Sequence, residues 1–204
     1  MRFLQLHLRS RRVPLALATV TTLIALAWVL SLAYSDSATI NARTASLAIM
    51  LAVVAVGSTL DGADGALEHT TAVNWPVRRA GHLLLAAAAI TALLSLSMVT
   101  DARYEPFAVM VRNTAGLLGL TALGATVLGA GLSWVAPLTW TLIAVLPIMV
   151  PSRDLTMQVA GWLIQPAGTT AATACAVVLA VTGLLAYAVR GCPVRPVSET
   201  SPDQ

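Results

Sequence analysis

The stretch FAVMVRNTAGLLGLTALGATVLGAGLSWVAPLTWTLIAVLPIMV, Phe107–Val150, is apolar almost without interruption, broken only by Arg112 and Asn113. As one helix it would be about 65 Å long at 1.5 Å per residue, twice the roughly 30 Å hydrocarbon thickness of a bilayer. The chain must therefore reverse once inside it. GAGLSWVAP, Gly129–Pro137, supplies glycines, a serine, an interface-seeking tryptophan and a helix-starting proline. The stretch divides there into spans near Phe107–Gly129 and Trp134–Val150.

Outward from this pair, other runs of bilayer length follow the same rule of about 20 mostly apolar residues. They are Pro14–Tyr34, Thr44–Leu60, Gly81–Val99 and Thr169–Val189. The first run is entered through the basic RSRR, Arg9–Arg12. It is longer than a secretory h-region and no small-residue cleavage pattern follows it, so it is read as a retained span. Composition agrees. The chain of 204 residues is 57% hydrophobic and 10% charged, with a mean hydropathy of +0.81. A soluble domain carries roughly 25% charged residues. The expected fold is all-α, a polytopic membrane protein of six transmembrane helices over residues 14–190.

All twelve basic residues are arginine. With an even number of spans, one side holds Arg2, Arg9, Arg11, Arg12, Arg78, Arg79, Arg190 and Arg195, and the other Arg43, Arg103, Arg112 and Arg153. That eight-to-four split places both termini in the cytoplasm by the positive-inside rule. The basic pI carries no nucleic-acid motif with it, so no nucleic-acid partner is expected. Cys175 and Cys192 have no metal or redox spacing and are expected to be unpaired.

Three further segments carry structure without being plain spans. MRFLQLHLRSRRV, residues 1–13, reads as a cytoplasmic amphipathic segment, an interfacial helix before the first span. Residues 191–204 read as a cytoplasmic tail without fixed structure. The loop STLDGADGALEHTTAVNWPVRRAGH, Ser58–His82, is the longest polar connection and faces the cytoplasm. Asp64 is expected to cap a short helix starting near Gly65, with Glu68 in its first turn favouring the dipole. Such a helix suits docking onto a soluble partner; a plain polar connector is the alternative. PSRDLTMQVAGWLIQPAGTT, Pro151–Thr170, holds a middle, Leu155–Ile164, that is apolar but too short to cross. It is expected to be a short re-entrant helix on the outer face, with an exposed loop as the alternative.

Within the fourth run Arg112 and Asn113 lie near the outer end, where the arginine is expected to snorkel to head groups; a pairing or pathway role is the alternative. Gly116 and Gly119, with Ala115–Gly119 and Ala125–Gly129 at small-xxx-small spacing, point to close helix packing within or between subunits. No catalytic, metal or cofactor residue is assigned. His69 and His82 lack metal-site spacing, and Ser95 and Ser97 lack an activating histidine in the outer half of a helix. No Asp, Glu or Lys lies in any of these spans, which disfavours an ion-coupled carrier. A chain without lysine has no standard Walker A site, so any ATP hydrolysis belongs to another polypeptide.

This layout, with LEHTTAVNWPVRRAGHLLL (Leu67–Leu85) and VRNTAGLLGLTALGATVLGAGLSWVAP (Val111–Pro137), resembles the membrane subunit of ABC-2-type exporters, in particular the compact alanine- and arginine-rich permeases of actinobacteria. The resemblance implies a coupling helix at Asp64, Leu67, Glu68, His69, Thr70 and Thr71 that docks on a separate ABC ATPase subunit. It also implies a second permease subunit, identical or related, lining the substrate path, and a place in the plasma membrane. With no large outer domain, small hydrophobic cargo is favoured. A non-transporting anchor, assembly factor or sensor is the rival reading, and a self-contained channel a third.

Overall fold

In a computed structural model, residues 13–34, 40–60, 74–99, 104–146 and 149–193 are described, and among them the secondary structure is entirely helical. The order is α1 (Val13–Tyr34), α2 (Ala42–Gly57), α3 (Trp75–Ser95, continued by a 3-10 turn Leu96–Val99), α4 (Phe107–Leu128), α5 (Val135–Val145), α6 (Leu155–Ala160) and α7 (Thr170–Arg190). Four helices are long and apolar enough to cross a membrane: α1, α3 with its turn, α4 and α7. Two shorter apolar stretches, Ala42–Gly57 and Ala130–Val145, pack among them. The amphipathic segment expected at 1–13 falls almost wholly outside the described residues, as does all of the tail beyond Pro193.

The helix ends follow local chemistry. Asn41 caps α2 by accepting the Arg43 N–H at 2.9 Å, which satisfies one of the amides a helix start leaves open. Pro76 sits in the first turn of α3, where a missing N–H costs nothing. That start at Trp75 is earlier than the Gly81 expected from hydropathy, because the turn through Arg78, Arg79 and His82 is polar yet helical. Gly129 ends α4 with φ +84° and opens the reversal to α5, a conformation that a side chain would strain. α5 is only 11 residues, shorter than the expected Trp134–Val150. Leu146 turns to extended geometry because the following Pro147 disfavours the helical region before it.

Contacts gather at two opposite ends. At one, Thr59 meets His82, the Tyr187 hydroxyl donates to the Leu60 carbonyl, and Arg79 lies against Gly191. At the other, Arg43 donates to the Met149 carbonyl and Arg112 to the carbonyls of Gln165 and Pro166. α2 therefore runs from the second end to the first and α3 back again, while α4 and α7 both run toward the first, parallel to one another.

α4 is the axis: 72% of its apolar window is buried, against 17% for α1 and 28% for α7. Large apolar side chains instead point outward, among them Leu15, Leu26 and Val29 of α1, Leu84 and Leu85 of α3, and Val177, Val181 and Leu185 of α7. An apolar exterior with a core holding Ser46, Asn113, Thr114 and Thr121 is the arrangement expected where the solvent is lipid.

The most extensive pairing is α4 with α7. Its closest point joins Gly119 and Gly183: a methyl on Gly183 would stand 2.7 Å from the Gly119 Cα, and one on Gly119 2.5 Å from the Ala180 Cα. Dispersion between touching backbones replaces the hydrophobic drive that lipid removes. Gly119→Ala is expected to force the two helices apart and cost about 1–3 kcal/mol. Gly81 has open space around it. Thermal melts in detergent should show a lower midpoint for Gly119→Ala and an unchanged or higher one for Gly81→Ala.

Candidate functional site

Between α5 and α7 the chain does not simply loop over the surface. Leu155–Ala160 forms one and a half turns, Gly161 breaks them, and a 3-10 turn, Trp162–Ile164, follows. Trp162 and Leu163 are fully buried, and Ile164 and Gln165 nearly so. The indole fits because the helices facing it carry almost no side chain: a methyl on Gly116 would meet the Trp162 ring at 2.5 Å and the Ala176 methyl at 3.1 Å. The small residues of α4 and α7 are thus a slot for Trp162 as well as a helix seam. Trp140 of α5 donates its indole N–H to the Ala160 carbonyl at 3.1 Å, closing the slot from the third side.

An inserted non-helical turn presents carbonyls that no helix ladder satisfies, and lipid supplies no donors. Arg112 and Asn113 supply them. The Arg112 guanidinium donates through Nη2 to the Gln165 carbonyl at 2.7 Å and through Nη1 to the Pro166 carbonyl at 3.1 Å. Its Nε donates to the Asn113 Oδ1 at 3.1 Å, and the Asn113 Nδ2 donates to the Leu163 carbonyl at 2.8 Å. Ser46 of α2 adds a long contact of 3.4 Å to the same Leu163 carbonyl. Around the rim, the Ser152 amide reaches the Gln165 Oε1 at 3.4 Å and Gln158 Nε2 donates to the Ser152 carbonyl at 3.0 Å.

The expected snorkelling of Arg112 toward head groups is replaced by this inward capping. Arg112 is only 6% exposed and Asn113 is fully buried. The carbonyls of Gln165 and Pro166 lie within hydrogen-bond reach of the guanidinium and take its protons. Each hydrogen bond to a charged group contributes about 1.5–3 kcal/mol, and leaving a buried carbonyl unpaired costs a similar amount. Glu105, just outside α4, feels both effects: burial pushes its carboxyl above the usual range, and the Arg112 charge partly draws it back.

The residues that sequence reasoning singled out separate into two groups. Arg112, Asn113 and Gly116 converge on the inserted turn, while Gly119 packs against α7. Asp64, Leu67, Glu68, His69, Thr70 and Thr71 lie outside the described residues. The frame that carries their loop is described. Leu60, where α2 gives way to the loop, has its carbonyl held by the Tyr187 hydroxyl at 2.6 Å and approached by the Cys192 thiol at 3.6 Å. Thr59 donates its hydroxyl proton to the Val56 carbonyl at 2.7 Å, so the 2.8 Å contact with His82 uses the Nε2–H of the ring as donor. Across the loop, the Arg79 guanidinium packs on Gly191, whose φ of +68° and lack of Cβ admit it. Among the described residues, no three His, Cys, Asp or Glu side chains gather as a metal site, and Cys175 and Cys192 form no disulfide.

Tyr187, Trp162, Gln165 and Tyr104 were not singled out from the sequence. Trp162 carried a usable signal, a tryptophan after glycine in the middle of a polar connection. Four polar atoms are buried without a partner among the described residues: Thr114 Oγ1, Thr141 Oγ1, Trp162 Nε1 and Gln165 Nε2. Two of them belong to the inserted turn itself.

Arg112→Ala strips donors from two carbonyls and is expected to lower stability in detergent by about 2 kcal/mol or more, with Arg112→Lys intermediate because a point charge cannot fork. Thermal melts of the purified variants measure this. For Glu105 the folded state holds its proton more tightly than the unfolded chain does. Stability should therefore rise as pH falls from neutral toward the ordinary carboxyl value, and Glu105→Gln should flatten that slope in melts across the same range. No family model matches this chain, and no curated protein or solved structure matches it.

Proposed function

We propose that this chain is the membrane-spanning permease subunit of an ATP-driven exporter of the ABC-2 type. In this reading it crosses the plasma membrane six times, with α2 and the Ala130–Val145 stretch as the two short spans and both termini cytoplasmic. The 16 residues of α2 cover about 24 Å at 1.5 Å per residue, and the thickness that α5 lacks is filled from outside by the inserted Leu155–Ile164 segment. That segment is then a re-entrant element of the outer leaflet, its backbone satisfied by protein. The arginine-rich N-terminal segment ahead of α1 fixes the orientation.

The observation that carries the proposal is the fastening of the loop between α2 and α3. Its entry is tied to α7 through Tyr187 and to α3 through His82, while Arg79 at its exit sits under Gly191. A connector with no partner needs no such frame. A loop that receives force does, because displacement at Asp64–Thr71 would move three helices together. A separate ABC ATPase gripping that segment supplies the energy, and its nucleotide states shift the population between two arrangements by differential contact. In this reading the substrate path runs between this chain and a second permease subunit, which the close packing around α4 within one chain supports.

Purification in mild detergent should recover a stoichiometric ABC ATPase, and Glu68→Arg should release it. An intact complex with Glu68→Arg removes the docking role from this loop. Recovery without any ATPase leaves a non-transporting anchor, assembly or sensor protein. Cysteines placed at Asp64–Thr71 should be labelled from the cytoplasm and not from outside; the opposite result overturns the orientation.

A further inference from the structure

α1 leans on α2 and touches α3 only lightly, and between α1 and the outer end of α3 lies a cavity of about 320 Å³. Ile24, Ala25 and Trp28 form one wall and Leu93 and Leu96 the other, with Tyr104 across the end. The polar groups that border it are already engaged. Thr21 donates to the Leu17 carbonyl at 2.9 Å, Ser97 donates to the Leu94 carbonyl at 2.7 Å and accepts the Tyr104 amide, and the Tyr104 hydroxyl donates to the Ile24 carbonyl at 2.7 Å. Burial pushes the Tyr104 phenol up to about 12, so it remains a donor at any physiological pH.

With each of these hydroxyl protons committed to a carbonyl, the lining gives water no hydroxyl donor and few acceptors, short of the two to four partners it needs, and apolar cavities of this kind stay dry. The space is about twice that of an engineered cavity that binds benzene, which corresponds to a chain of about twelve carbons. Its mouth faces sideways. Thr21, Ala25 and Leu96 on its border are exposed, and α1 also exposes the apolar Leu17, Leu26 and Val29. Residues 21–28 are the middle of α1, a helix long and apolar enough to cross a membrane.

The geometry points to a lipid-binding site: one acyl chain of a bilayer lipid enters sideways between α1 and α3 and ends against Tyr104. The site requires only that the chain lie in a membrane, and does not depend on the exporter reading.

The test uses the full chain in phosphatidylcholine vesicles doped with phosphatidylcholine that carries a diazirine in mid-chain. After irradiation, peptide mapping should find adducts on Ile24–Trp28 and Leu93–Leu96 several-fold above those on Val177, Val181 and Leu185, which are lipid-exposed but border no such cavity. Ala25→Trp fills the space and should remove the adducts on Leu93–Leu96 while the α7 adducts persist, which also reports an intact fold. Leu93→Trp, from the opposite wall, should do the same to Ile24–Trp28. Equal labelling of all three helices, or filling variants without effect, overturns the site. So does protection of both cavity walls while α7 is labelled, because a protein segment would then occupy the cleft.

Discussion

The bundle depends on carbonyls that have nowhere else to go. The turn Trp162–Pro166 leaves the helical ladder in a setting where apolar side chains face outward on every long helix, and its main-chain oxygens are matched by Arg112 and Asn113. Remove those donors and only the packing of Trp162 and Leu163 holds the turn inside. Remove the turn, and an arginine, an asparagine and a glycine-lined slot are left facing one another in apolar surroundings. Neither half is stable alone, and the pairing of α4 with α7 is laid out around both. Gly116 and Ala176 make room for the indole, and one helical stretch further in, Gly119 and Gly183 bring the two backbones together.

This explains why polarity runs inward in α4. A helix in water hides its apolar face; here α4 hides Arg112, Asn113, Thr114 and Thr121, and α1, α3 and α7 spend their leucines and valines on the exterior. The second polar assembly, at the far end, works by the same economy. Tyr187, His82 and the Thr59 hydroxyl reach carbonyls and one another where helices end and the ladder stops. Two polar clasps at opposite ends, joined by a seam of small residues, leave the middle of the molecule with little freedom.

Much of this was legible in the sequence, and the parts that were not have physical causes. The long apolar runs, the reversal at Gly129 and the short apolar element before Pro166 are one-dimensional signals of length and composition. They do not depend on neighbours. The destination of Arg112 does depend on them. A guanidinium five residues from a helix end has two ways out of hydrocarbon, and only the position of Gln165 and Pro166, more than fifty residues later in the chain, decides between them. The early start of α3 was hidden because hydropathy averages over Arg78 and Arg79, whereas helix formation responds to Asn74 and Pro76. Tyr187 and Tyr104 are single aromatic residues whose hydroxyls find carbonyls 127 and 80 positions away, and no local pattern announces such a bond.

The distance along the chain between Arg112 and its acceptors also bears on how the protein is made. Arg112 leaves the ribosome 53 residues before Gln165, which at about 5–20 residues per second is roughly 3–10 seconds of synthesis. During that interval α4 carries a charge and an amide with no carbonyls to receive them. The contact of Arg112 with these carbonyls closes only once the segment through Pro166 has emerged. Assembly is accordingly ordered from the last third of the chain backward onto the middle.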